Sequence, residues 1–215
     1  METKVKESLE KEVRELNSII FMAVESFKIV ELLAKNEEDD DKSYIKNMNV
    51  FLRYSMITNW RITAIELSKL LSGGKNEAYD LRRFINKLKP GGEFETAGIS
   101  QEEINKWKHK LSEEADAVKN IVDQRNKLYA HTDRDAAAIK NIVTVGKAKE
   151  LITVAQSVIK EIYHTVFCSG FSFDAFNSPV NNLSWIIDTL TEQKKQREKS
   201  LKALALEHGI TDEFK

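Results

Sequence analysis

The chain has one cysteine, two prolines and eight glycines in 215 residues, and each shortage removes a class of protein. A lone Cys168 closes no intrachain disulfide, so a disulfide scaffold of the secreted kind is excluded. With Met1-Glu2-Thr3-Lys4-Val5-Lys6 standing where a signal peptide would be apolar, the cytoplasm is the expected compartment. The longest apolar run, Ile19 to Val24, falls far short of the roughly 20 residues that cross a bilayer, so no membrane association is expected. Positive charge is not in excess either. Lys plus Arg total 33 against 34 Asp plus Glu, so no global field announces a nucleic-acid binder and any RNA contact must be local. The rare prolines and glycines lie mostly between periodic segments, the punctuation of long helices joined by short turns. No segment alternates convincingly as a strand, and no repeat of about 20 to 50 residues suggests a solenoid. The expectation is an all-α, up-and-down helical bundle of five to six helices. It forms one domain over 1–215, with an acidic linker near 36–42 and a loop near 90–99.

The helices are written by apolar stripes. Leu9, Val13, Leu16, Ile20, Val24, Phe27 and Val30 define a first helix that ends before Asn36. Glu37-Glu38-Asp39-Asp40-Asp41 reads as a solvated linker that favours the N-terminus of the next helix, with no ligand geometry for calcium. A second helix runs from about 42 to 71 on Met48, Phe51, Leu52, Trp60, Ala64, Leu67 and Leu71, and Gly73-Gly74 ends it. Gly74-Lys75 is not a P-loop, because Asn76 follows the lysine and no strand precedes. A short helix over about 78–88 stops at Pro90-Gly91-Gly92, which opens a flexible connection to Ser100. Ser100 with Glu103 forms a capping box that starts the longest amphipathic helix, through about Tyr129. Further helices span about 146–167 and 181–207, the last closed by Gly209.

The richest stretch is Arg125-Asn126-Lys127-Leu128-Tyr129-Ala130-His131, at the end of that longest helix. The stripe Ile104, Trp107, Leu111, Ala115, Val118, Ile121/Val122 continues onto Arg125, which puts a guanidinium at a buried-face position. A guanidinium stays charged, so a carboxylate, a partner chain or a phosphate must satisfy it. Arginine, amide and histidine are also the groups that phosphoryl chemistry uses. Six helical residues turn through about 600°, leaving Arg125 and His131 about 120° and about 9 Å apart. Either the helix breaks near Ala130 and His131 folds back, or a second chain completes the site across a two-fold axis. The second arrangement makes a homodimer with a composite site the expectation. Asp123, Lys127 and His131 form a charged row, one turn apart, that flanks the motif. The helix dipole by itself also favours Arg and His near a C-terminus.

Lys127 and Tyr129 inside the motif, and Lys106, Lys108 and Lys110 upstream, are the candidate RNA contacts, although a charged helix face is ordinarily just solvated. Glu161-x-x-His164 is half of a helical di-iron pattern with no second half, so neither metal nor cofactor is expected. His109 falls on a polar face, and Cys168 reads as a small core residue. Phe171, Phe173 and Phe176 suit the end of a bundle better than base stacking. Lys194, Lys195, Arg197, Lys199 and Lys202 form a basic stripe that either tracks an RNA backbone or keeps the last helix soluble.

Arg125-Asn126 followed by His131 resembles the signature of the HEPN superfamily, in which an arginine and a polar residue precede a histidine by a few positions. The wider context, Arg125 to Asp133 in a helical chain, is most similar to its abortive-infection, AbiU-type branch. As architecture the resemblance covers about 5–207. It implies a metal-independent endoribonuclease of phage defence or a toxin system, with Arg125, Asn126 and His131 catalytic. In that scheme a ribose 2′-hydroxyl attacks the adjacent phosphate with His131 as base or acid, Arg125 holds the phosphate, and Asn126 orients the phosphate or His131. It also implies RNA as substrate, a homodimer, and an antitoxin or nucleotidyltransferase as partner. Two alternatives stand beside it. One is a noncatalytic HEPN module that binds nucleotide, RNA or protein through the same pocket; the other is a structural dimer in which Arg125 meets an acid across the interface.

Overall fold

The computed structural model describes residues 3–35, 40–74, 77–130, 143–173 and 177–209. Among them are eight α-helices and no strand. The helices are α1 (Thr3–Ala34), α2 (Asp40–Met48), α3 (Val50–Leu71), α4 (Leu81–Leu88), α5 (Gln101–Glu113), α6 (Ala115–Gln124), α7 (Val145–Phe167) and α8 (Pro179–Glu207). The all-α bundle is as expected; the count exceeds five to six because two of the long helices are broken.

The first break is at Asn49, whose extended backbone leaves α2 and whose side chain accepts the Leu52 N–H at 3.1 Å as the N-cap of α3. The second is at Glu114, which leaves helical geometry and changes the phase of the apolar face. Ile104, Trp107 and Leu111 are buried on α5, but Ala115 is exposed and Ala117, Val118 and Ile121 take over on α6.

α1 is the central post, its stripe from Leu9 to Val30 wholly buried. It packs along α3 and also against α7 and α8. The main core gathers α1, α3, α4, α5, α6 and α7, whereas a smaller cluster of Leu33, Leu52 and Ile187 joins the end of α1 to α3 and α8. The acidic run contributes to that second region. Asp40 and Asp41 open α2, and Asp41 pairs with Lys194 at 2.8 Å and with Lys195. Asp41 is thereby held below the ordinary carboxylate range, chiefly by the Lys194 hydrogen bond.

Other expectations are corrected. Met48 and Phe51 are exposed rather than core, since the turn at Asn49 rotates them off the buried face. Cys168 is exposed as well, in left-handed backbone just past the last turn of α7. The connection over 90–99 is anchored, because Phe94 and Ile99 enter the core and the Phe94 N–H donates to the Lys87 carbonyl at 2.8 Å. A Cβ on Gly92 would stand 2.3 Å from that same carbonyl, so only glycine allows this close approach. Phe173 is buried and Phe171 stacks on Tyr163 at 4.5 Å, as the bundle-end role requires; Phe176 lies outside the described residues.

Candidate functional site

α6 ends where the apolar face meets polar side chains. The next six residues, Arg125–Ala130, form a π-helical turn, in which hydrogen bonds span five residues instead of four. At the junction the Arg125 N–H is shared between the Ile121 and Val122 carbonyls. The wider turn sets Arg125–Ala130 in a different register from α6. Gln124 takes the buried position, 1% exposed, and Arg125 moves to its edge. The expected buried-face arginine is therefore half buried.

What satisfies Arg125 is Glu77 of the same chain. Its Nη2 lies 3.2 Å from Glu77 Oε1, with the two side chains 29% and 22% exposed. Arg125 Nη1 donates to Asn126 Oδ1 at 3.2 Å, so the first two motif residues are held together. Five guanidinium N–H groups in a planar fork leave further donors for a phosphate beside these two contacts.

Glu77 sits on the connection from α3 to α4, and Asp80 organises that connection. The Asp80 carboxylate is fully buried, accepting the Gly73 N–H at 2.7 Å and the Arg83 N–H at 3.1 Å as the N-cap of α4. Arg83 in turn donates to the Gly74 carbonyl at 3.2 Å, and the Glu77 N–H to the same oxygen at 3.2 Å. Gly73, at a φ of 67°, supplies the left-handed step. A buried acid thus shapes the loop that brings a second acid to Arg125.

Neither Glu77 nor Gln124 stands out in the sequence as a site residue. Gln124 Oε1 accepts the Val143 N–H at 3.3 Å, which ties the start of the π-turn to the chain that precedes α7. The signal for Gln124 was its position, three residues after Ile121 on the apolar face. Glu77 gave no signal, because it lies 48 positions from Arg125 in a polar loop.

The other proposed site residues are placed as follows. His131 lies outside the described residues, so the Arg125–His131 geometry is not defined, and the charged row through Asp123 and Lys127 ends there. Lys127 is half buried on the π-turn, which also contains Tyr129. Lys106 and Lys110 are committed to α7: both pair with Glu161, which also accepts the Trp107 indole N–H at 2.9 Å. Lys108 points away from that group and lines a separate cleft with Arg82. His109 is exposed and faces Glu113 at 3.6 Å, and His164 is exposed. Among the described residues no cluster of three or more His, Cys, Asp or Glu could hold a metal ion, and no helix is long and apolar enough to cross a membrane.

No curated protein and no solved structure gives a significant match to the chain. A family model described as AbiU2, HEPN_AbiU2, matches residues 6–183. The match runs from the first turns of α1 into the start of α8 and takes in Arg125, Asn126 and His131. Covering well over half of the chain, it places this protein in the HEPN_AbiU2 family.

Proposed function

We propose that the protein is a metal-independent endoribonuclease acting in phage defence or as a toxin, with Arg125, Asn126 and His131 as its working groups. The observation that carries this is the state of Arg125. It heads a π-turn inside a HEPN-family bundle, partly exposed, with Glu77 and Asn126 fixing two edges of its guanidinium. A guanidinium held this way offers directed donors to a phosphodiester and stabilises charge that develops on its oxygens.

The ribose 2′-hydroxyl attacks the adjacent phosphorus, and the bond to the 5′-oxygen of the next nucleotide breaks. A 2′,3′-cyclic phosphate and a free 5′-hydroxyl result. His131 takes the proton from the 2′-hydroxyl or gives one to the leaving oxygen, because imidazole exchanges protons near neutrality. Asn126 keeps Arg125 aimed at the phosphate. In a homodimer each site takes its arginine from one protomer and its histidine from the other.

The test compares wild type with His131→Ala on a mixed RNA pool in EDTA, reading cleavage and product ends together. Cleavage that leaves cyclic phosphates and vanishes in the variant is the expected result. If both proteins are inert across structured and unstructured RNA, a second reading takes over: a noncatalytic module that binds RNA, nucleotide, or an antitoxin or nucleotidyltransferase partner. That second reading draws on Glu77, which already occupies the guanidinium.

A further inference from the structure

Three groups of cations named so far face carboxylates, and one group is an exception to that pattern. Arg125 has Glu77; Lys106 and Lys110 have Glu161; Lys194 has Asp41. The exception is a cleft of about 340 Å³ between α4 and α5, lined by Arg82, Asn86, Lys108 and Ser112. Arg82 and Asn86 stand one turn apart on α4, as do Lys108 and Ser112 on α5, so each helix presents a cation and a neutral hydrogen-bonding group to the other.

Arg82 is half buried there and uses Nη2 to donate to the Leu111 carbonyl at 2.7 Å. Its Nε is buried with no partner. Among the described residues neither Arg82 nor Lys108 forms an ion pair. A partly desolvated guanidinium with an unmet donor, beside a second cation and two neutral polar groups, is short of an anion. Oxygens in tetrahedral array, as on a phosphate, suit donors that converge from two helices.

We infer that this cleft binds a backbone phosphate of single-stranded RNA. The identity of the strand rests on the ribonuclease reading above; the need for an anion does not. The loop over 72–80 links the cleft to the motif. Glu77 in that loop reaches Arg125, while a Cβ on Gly73 would lie 3.9 Å from Arg82 Cδ. On this inference a strand engaged at Arg125 runs on to the cleft, which holds a phosphate outside the scissile bond.

The experiment uses the full chain carrying His131→Ala, so that RNA is bound and not cut, and a fluorescein-labelled single-stranded RNA of about 12 nucleotides. Anisotropy titrations over a salt series compare this protein with the same chain carrying Lys108→Gln, and carrying Arg82→Gln with Lys108→Gln. Each phosphate contact on a single strand contributes about 0.7 to the slope of log K against log salt. Because the cleft holds one phosphate, the double variant is expected to lower the slope by about 0.7 and to raise Kd about tenfold, with the single variant moving both part of the way. Inorganic phosphate added at constant ionic strength is expected to displace the RNA only at a large excess.

Unchanged Kd and slope in Lys108→Gln overturn the inference, as does a parent protein that binds no RNA. Binding of inorganic phosphate that is lost in Lys108→Gln, without effect on RNA, assigns the cleft to a free anion and overturns it too. Lys108→Gln keeps the test valid if loss of the Arg82 hydrogen bond disturbs folding, which thermal melting reports. An inert wild type whose His131→Ala form still loses RNA affinity on Lys108→Gln would remove the nuclease reading and leave the cleft standing.

Discussion

Arg125 is held by one carboxylate, which the substrate phosphate of the proposed ribonuclease must share or displace. Glu77 and Arg125 are each roughly three-quarters covered, so their pair is worth at most about 1 kcal/mol, since water and salt still screen it. The sign of its effect on RNA binding follows from charge. Glu77 lies beside the position a phosphate would occupy, repels it and competes for the same N–H groups. Glu77→Gln, made in the His131→Ala background, is therefore expected to tighten RNA binding by about two- to fivefold, the equivalent of up to about 1 kcal/mol. Weaker binding by Glu77→Gln would assign Glu77 to orienting the guanidinium instead. At this scale the sequence was half legible. Arg125 and Asn126 were visible because of their neighbours in the chain, and a counter-ion for the arginine followed from the cost of leaving it bare. Which residue supplies it was not visible, because Asp80 and Gly73 fold the loop back through contacts that no periodicity encodes.

Among the elements, α5 and α7 are fastened by Glu161. Burial pushes its carboxyl up, but the Lys110 ammonium, the Trp107 N–H and Lys106 outweigh this and hold it below the ordinary value of 4.5. A carboxyl that is a stronger acid in the folded chain contributes stability in its ionised form. That contribution is complete above the unfolded pKa and is lost as the pH falls through the folded one. Glu161→Gln is therefore expected to be less stable than wild type by about 1 kcal/mol at neutral pH, with the gap closing as the pH is lowered from about 7 to about 3. Urea unfolding at a series of pH values measures this, and a gap that does not change with pH would sink the assignment. The same fastening explains why the lysines of α5 could not be sorted from sequence. Lys106, Lys108 and Lys110 looked alike as a basic run, and only the position of α7 separates the two held by Glu161 from the one in the cleft. Helix breaks were hidden for a related reason. Asn49 and Glu114 are tolerable inside helices, and packing decides that the chain turns there.

For the whole molecule, the composition already implied an all-helical bundle, because so little proline and glycine over such long apolar stripes leaves no other way to bury a core. The stripe of α1 is buried along its length for that reason. A continuous helical path would turn Arg125 and His131 apart, so either His131 folds back within one chain or a second chain completes the site. A homodimer resolves this if each site takes its arginine from one protomer and its histidine from the other. Mixing Arg125→Ala and His131→Ala chains then has a definite yield. Random exchange makes about half of the dimers mixed, and each mixed dimer holds one site with both groups intact and one with neither. The mixture is expected to recover about a quarter of wild-type cleavage, while each variant alone stays inactive. If both groups come from the same chain, no site in the mixed dimer is whole and nothing is recovered. Native mass spectrometry of the mixture, with one chain isotopically heavy, establishes that exchange has occurred, so that an inactive mixture containing mixed dimers would rule out the shared site.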